Sequence, residues 1–349
     1  MTTEIAVLDA LDLLVVVDNE SDTLSSVNQG VPQLPELGRL VARFPQPEPK
    51  YGHNCVEPWE HLCLACHGFS ALVTGTRGSE ERTVLFDVGP SADVWLDNAR
   101  RLGVRLPSIE AVCLSHWHAD HSGGLPGVVA AITRSRLDAG LPPPIVDLHP
   151  DRPDQRGFLT PTGTLVLLPE EPTFKAIQAA GGRVAKYAEA HVLADFFFVS
   201  GEIERVTSYE TGFVGHHTVR AGHALPDPLI SDERFLAARV RNRGVSVLSS
   251  CSHAGVVNAA LSARAAFKGE PIDVILGGYH LAGQAMEPRI EPTVHDLANQ
   301  VRPRVVAPGH CTGWRAKAAL ARAFAPGNYG PSVVGSLYAL RPARERDNL

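Results

Sequence analysis

Short apolar runs that end in Asp, Gly or His and pass into helical periodicity recur along the chain. Leu13–Val17 is rich in valine and ends in Asp18-Asn19, which predicts a buried strand running into a loop. Phe69–Thr74 and Thr83–Asp87 read as two strands around the turn at Arg77-Gly78-Ser79. Ala92–Leu102 fits a helix, Ala111–Ser115 the next strand, and Val128–Leu137 a second helix. Near the C-terminus the alternation is clearest. Strands Val245–Ser249, Ile272–Leu276 and Arg304–Ala307 are followed by helices Val256–Phe267, Thr293–Gln300 and Ala316–Phe324. Each of these three strands delivers a histidine (His253, His280, His310) before its helix begins. In helix-covered sheets, sites form beyond the carboxyl ends of strands, where loops from several strands converge.

Two stretches break the pattern. Residues at about 28–66 hold many prolines and little periodicity, and 138–235 shows proline-rich turns, a helix at Thr173–Ala180 and several short strands. Both are expected as irregular insertions in a single domain spanning 1–349. The arginine-rich segment Arg234–Arg243 is expected to form a solvated helix face.

The chemistry concentrates in Cys113-Leu-Ser-His116-Trp-His118-Ala-Asp120-His121-Ser-Gly-Gly-Leu125. Extended backbone places residues two apart on one side, so His116 and His118 can grip one ion, with Asp120 and His121 just beyond. Imidazole and carboxylate suit zinc, iron or manganese. Side by side, such groups can hold two ions about 3.5–4 Å apart. A lone histidine here would be an ordinary loop residue; three with an aspartate in six positions after a buried strand are a metal site.

Composition narrows the remaining choices. The chain has 349 residues, 44% hydrophobic and 20% charged, with a net charge of −6. That balance fits a globular core and gives no general attraction to nucleic acid or to anionic membranes. The apolar run at Leu13 is too short for a signal or a span and is flanked by acids, so a cytoplasmic protein is expected. The six cysteines are expected as thiols or metal ligands rather than disulfides. Phosphate-binding glycine loops, nucleophile elbows and dinucleotide fingerprints are absent.

The chain resembles the metallo-β-lactamase superfamily, whose signature is His-x-His-x-Asp-His after a strand. Within it the chain is most similar to the branch of 7,8-dihydropterin-6-yl-methyl-4-(β-D-ribofuranosyl)aminobenzene 5'-phosphate synthase-like metal-dependent hydrolases. The segments that carry the likeness are Val17-Asp-Asn19, His67-Gly-Phe-Ser70, Leu85-Phe-Asp-Val-Gly89, the 116–121 cluster, Ser200-Gly-Glu-Ile203, Cys251-Ser-His-Ala-Gly255, Gly277-Gly-Tyr-His280 and His310-Cys-Thr-Gly313. The resemblance implies a four-layer αββα sandwich of mixed sheets with outer helices. It also implies one or two divalent ions, zinc first and iron or manganese as alternatives. His116 and His118 would serve the first ion, Asp120, His121 and His310 the second, and Asp87 would orient the cluster through hydrogen bonds.

Where many relatives carry a bridging aspartate, this chain has Ser250-Cys251-Ser252-His253. His253 is expected to complete the first site, and Cys251 either bridges as thiolate or is a small buried residue. No preceding ligand histidine stands out; His216, His217 and His223 are weak candidates. His280 faces the same cleft as a metal ligand, a substrate-phosphate contact, a general acid or a structural residue. Asn19 and Ser70 either touch substrate or stabilise turns. Cys63-x-x-Cys66-His67 matches a haem-attachment pattern in form only, while Cys55, Cys63 and Cys66 admit a small zinc knot but read first as a thiol-bearing loop.

The expected activity is hydrolysis of a phosphodiester, lactone or other ester by a metal-activated water, with Asp120 and His280 as the catalytic pair. The alternatives are a pterin-type transfer that releases diphosphate and a non-hydrolytic di-metal redox or binding protein. The expected partner is a small molecule, phosphorylated substrates included. Neither nucleic acid nor membrane is expected, and a homo-oligomer is compatible with the chain.

Overall fold

A computed structural model describes residues 5–25, 48–324 and 327–342. Two seven-stranded sheets dominate it. The first runs in the order Arg183–Lys186, Ile145–Leu148, Ile109–Cys113, Glu80–Phe86, Ser70–Arg77, Ala10–Val17, Leu337–Leu340. Its first four strands are parallel, and the rest pair antiparallel. The second sheet runs His191–Leu193, Phe197–Val199, Leu236–Val240, Gly244–Ser249, Ile272–Gly278, Val305–Gly309, with Val7–Leu8 beside Leu236–Val240. Its last three strands are parallel.

Strand alternation builds the layers. On Ile272–Gly278, Val274 and Leu276 point between the sheets while Ile275 points out to the helices. On Ala10–Val17, Leu11, Leu13 and Val15 face the inter-sheet core, and Val16 and Val17 join the outer layer. Helices Val256–Ala266, Ile290–Asp296 and Trp314–Phe324 lie on the second sheet. Ala92–Leu102, Leu125–Asp138 and Phe174–Ala179 lie on the first. The arrangement is helix, sheet, sheet, helix, as the resemblance implied. It stands because both faces of each sheet are apolar and must be covered.

Segment 138–235 is more regular than its sequence suggests. It supplies two strands to the first sheet and two before Leu236–Val240 to the second. It also forms a separate four-stranded sheet of Gln155–Leu159, Leu165–Glu170, His216–Arg220 and His223–Pro226. The expected helix face at Arg234–Arg243 is corrected: Leu236–Val240 is a buried strand between Phe197–Val199 and Gly244–Ser249. Arg234 is fully buried and binds the Asp147 carboxylate at 2.7 Å. The apolar positions in between decide the outcome, and a fixed carboxylate meets the buried guanidinium.

Among the described residues, no helix is long and apolar enough to cross a membrane. Residues 26–47, most of the first expected insertion, lie outside the described residues.

Candidate metal centre

The parallel strands of both sheets end on the same side, so their carboxyl ends deliver side chains to one place. Glu80–Phe86 leads to Asp87 and Ile109–Cys113 to His116. From the other sheet come Cys251, His253, His280 and His310. After His118 the chain enters a single helical turn, Ala119–Ser122, which carries Asp120 and His121.

Hydrogen bonds fix the imidazoles one by one. Asp87 sits in left-handed backbone, φ 58°, directly after its strand. Its carboxylate accepts from Ser115 N (2.7 Å), Ser115 Oγ (2.7 Å) and His121 Nδ1 (2.8 Å). Because Ser115 Oγ donates to Asp87, it accepts from His116 Nδ1 at 2.8 Å. Each bond places a proton on Nδ1 and turns Nε2 inward, and on the neutral ring of His116 that Nε2 is bare. His216 Nδ1 donates to the Asp227 carbonyl at 2.7 Å, so its Nε2 accepts from His118 Nε2 at 2.9 Å. His118 Nδ1 is therefore also bare.

Three ring nitrogens now crowd together. His116 Nε2 lies 2.9 Å from His118 Nδ1, and His253 Nε2 lies 3.2 and 3.1 Å from the two. At most one edge of that triangle can hold a proton, and the others set lone pair against lone pair. A cation at the centre resolves this: nitrogens on a tetrahedral zinc at about 2.0–2.1 Å stand roughly 3.3 Å apart. Burial, then the neighbouring rings, hold His116 well below the usual imidazole range, and burial and Arg156 do so for His118. Neutral imidazole is the ligand form.

A second group forms around Asp120. His310 Nε2 and His67 Nε2 each lie 3.3 Å from Asp120 Oδ2, and His121 Nε2 lies 3.6 Å away. The Nε2 atoms of His121 and His310 are buried without a hydrogen-bond partner, which is costly unless an ion takes them. Burial works to raise the Asp120 carboxyl, but His121, itself pushed up to about 9 against its own burial by Asp120 and Asp87, outweighs it and holds Asp120 well below the carboxylate range.

Asn19 arranges this group. Gly68 N donates to Asn19 Oδ1 at 3.2 Å, which fixes the amide's orientation. The same oxygen accepts from His310 Nδ1 at 3.0 Å, and Asn19 Nδ2 donates to His67 Nδ1 at 3.1 Å. His310 thus turns a bare nitrogen inward, whereas His67 carries its proton on Nε2, facing Asp120. Asp18 braces the loop from below through His310 N and Ser332 Oγ, and a side chain at Gly309 would collide with it.

His116, His118, Asp120, His121, His253, His280 and His310 are brought to this region, and of the weaker candidates His216 joins them through His118. His217 instead bonds back to the Gly215 carbonyl, and His223 is exposed. Ser70 supports the strand end, donating to the Asp87 carbonyl and accepting from Trp95 Nε1. Cys55, Cys63 and Cys66 join no convergent ligand group among the described residues, and no cysteine is in a disulfide. Reading the sequence missed His67, which looked like a strand start, and Glu233, whose carboxylate accepts from His253 N (2.8 Å) and Ala254 N (2.7 Å). Glu233 has no local signature, and His67 stood out only as part of the His67-Gly-Phe-Ser70 and Cys63-x-x-Cys66-His67 segments.

The centre opens into a cavity of about 600 Å³. Phe158, Leu168, Pro169 and Pro172, from the segment that carries the four-stranded sheet, and Phe213 form its apolar wall. No lysine or arginine lines it among the described residues.

Comparisons with known proteins bear on the family and the fold. Residues 64–191 match the sequence model of the metallo-beta-lactamase superfamily. Over 255 residues the chain is 28% identical to a 7,8-dihydropterin-6-methyl-4-(beta-D-ribofuranosyl)-aminobenzene-5'-phosphate synthase of Methanocaldococcus jannaschii, covering 72% of this chain and 82% of the relative. A shorter match, 29% over 109 residues and 31% of each chain, is to a lactamase-like protein of Aspergillus sp.. The fold superposes with a TM-score of 0.65 and 23% identity on a crystal structure of a metal-dependent hydrolase of the beta-lactamase superfamily, covering 95% of this chain and 99% of that one.

Proposed function

We propose that this chain, whose residues 64–191 match the metallo-beta-lactamase superfamily model, is a metal-dependent hydrolase of small-molecule esters, lactones included. The observation that carries this reading is the convergence of ring nitrogens of His116, His118 and His253 beside the orphaned Nε2 atoms of His121 and His310. His116, His118 and His253 would hold one divalent ion, and Asp120, His121 and His310 a second, with zinc as the first expectation. When bound, such ions polarise a carbonyl or phosphoryl oxygen and bring the pKa of water toward neutrality.

The protein's own groups do the positioning. Asp87 and Ser115 hold His121 and His116, Asn19 holds His310, and Glu233 holds the backbone of His253. His67 keeps a proton on Nε2 at the cavity face, placed to hydrogen-bond an oxygen of the substrate. The apolar wall takes the body of the substrate and excludes water from the opposite side.

A second reading is a pterin-type transfer that releases diphosphate, and the Methanocaldococcus synthase supports it. The cavity weighs against it: several phosphate charges would enter a space that no described lysine or arginine lines.

Metal analysis of the purified protein followed by a panel of aryl esters, lactones and phosphodiesters tests the proposal. Turnover is expected on an uncharged ester, abolished by a chelator and by His118→Ala, and restored by metal to the parent only. A fully loaded protein that is inert on the whole panel yet releases diphosphate from a pterin substrate would replace the first reading with the second.

A further inference from the structure

Beside the nitrogen cluster lies a group of different chemistry. Cys251 Sγ and Cys311 Sγ are 3.2 Å apart, and Cys251 Sγ is 3.7 Å from His280 Nδ1. The three residues come from three successive strand-end loops, after Gly244–Ser249, Ile272–Gly278 and Val305–Gly309. All three line the cavity.

The backbone makes room for the group. His280 stands in left-handed conformation at φ 47°, a state that costs a non-glycine residue free energy and persists where the surroundings require it. A side chain on Gly278 would approach Cys311 Sγ to 2.6 Å, so glycine there lets the sulfur sit against the strand end.

Magnitudes separate the two things a close thiol pair can do. A disulfide needs the sulfurs at about 2.05 Å, more than an ångström closer than they are. Two thiolates on a tetrahedral zinc, each at about 2.3 Å, stand roughly 3.8 Å apart, and a thiolate and an imidazole on it roughly 3.6 Å. The observed sulfur–nitrogen spacing already meets that figure. The sulfur–sulfur spacing needs a small opening, within reach of a side-chain rotation.

We infer that Cys251, His280 and Cys311 form a separate, sulfur-rich site for a thiophilic divalent ion, adjoining the histidine–aspartate centre and open to the cavity. Cys251 belongs to its near edge, since its sulfur also falls within 4.8 Å of ligand nitrogens on His116 and His121. With His280 given to this ion, His67 is the proton-bearing histidine left at the cavity face. The inference goes beyond the hydrolase reading and stands even for a chain that hydrolyses nothing.

Cobalt(II) loading of the reduced full-length chain tests it. Thiolate ligation gives a near-ultraviolet sulfur-to-cobalt charge-transfer band that histidine and carboxylate do not. The parent is expected to bind one more cobalt per chain than Cys311→Ser and to lose at least half of the band with that substitution. His280→Ala, which leaves both thiols in place, should also lose the additional cobalt, while His118→Ala should retain the band. Circular dichroism confirms that each variant is folded. A band unchanged in Cys311→Ser would mean that Cys251 serves the neighbouring centre alone, and the inference would fail. It would fail equally if the reduced parent bound cobalt without any such band, or if the chain as isolated lacked two hydrogens in mass and had both thiols unreactive, the mark of a disulfide.

Discussion

His121 Nδ1 donates to Asp87 Oδ2 at 2.8 Å in a pair buried from solvent on both sides. The bond points His121 Nε2 at Asp120, and through Ser115 the same carboxylate sets His116. One residue therefore governs a ring in each half of the centre.

Asp87→Ala should lower metal affinity by about 10–100-fold, the usual effect of losing a carboxylate behind a ligand histidine. Competition against a chromophoric chelator measures it. Equal affinity in parent and variant would detach Asp87 from the centre.

Glu171 supplies a pH signature. It is buried, bonded to Ser122 Oγ, and its other oxygen has no partner. Burial pushes its carboxyl up to about 7, against an ordinary value of 4.5. A raised carboxyl favours the protonated form in the folded chain. The associated stability is complete below about pH 4.5 and is lost as pH rises through about 7. Across that window the metal-free parent should lose stability on the order of 3 kcal/mol relative to Glu171→Gln, which keeps an acceptor for Ser122 and cannot ionise. Denaturant midpoints at pH 5 and pH 8 check it, and parallel pH dependence in the two proteins would refute it.

Phe158 is assigned to the substrate's apolar body. Phe158→Ala should raise KM for an aryl ester by roughly tenfold, given about 25 cal/mol per Å² of lost apolar contact, and leave kcat nearly unchanged. A fall confined to kcat would place Phe158 in the chemistry instead.

Arg234→Met should cost about 3–5 kcal/mol in unfolding free energy, because it strands the buried Asp147 carboxylate. Among the described residues Asp147 keeps only His191 Nε2, at 2.5 Å, as a side-chain partner. Urea unfolding measures the loss, and a change under 1 kcal/mol would show that His191 alone satisfies the carboxylate.

The strand–histidine–helix repeats near the C-terminus were legible because each is local: an apolar run, a turn residue, then a change of period. The 116–121 cluster was legible for the same reason. His216 was legible only as one of three weak candidates, since its value lies in a bond to His118, nearly a hundred positions away, and in the Asp227 carbonyl that fixes its proton. Glu233 is an ordinary acid until the His253 loop folds onto it. Arg234–Arg243 misled because charged residues read as solvent-facing, and only tertiary pairing reveals that Arg234 has Asp147 waiting. The four-stranded sheet escaped because Gln155–Leu159 and His223–Pro226 lack a clean two-residue alternation.

That small sheet hydrogen-bonds to neither large one. The apolar wall and the strand ends that place His116, His253 and His310 thus lie on different sheets, linked at the centre by the bond from His118 to His216 of the small sheet. Leu168 lies on an outer strand of the small sheet, whereas Phe158 pairs in register with His216, the residue that carries the link to His118. A change at Phe158 is therefore one neighbour away from a ring of the nitrogen triangle, while a change at Leu168 is not.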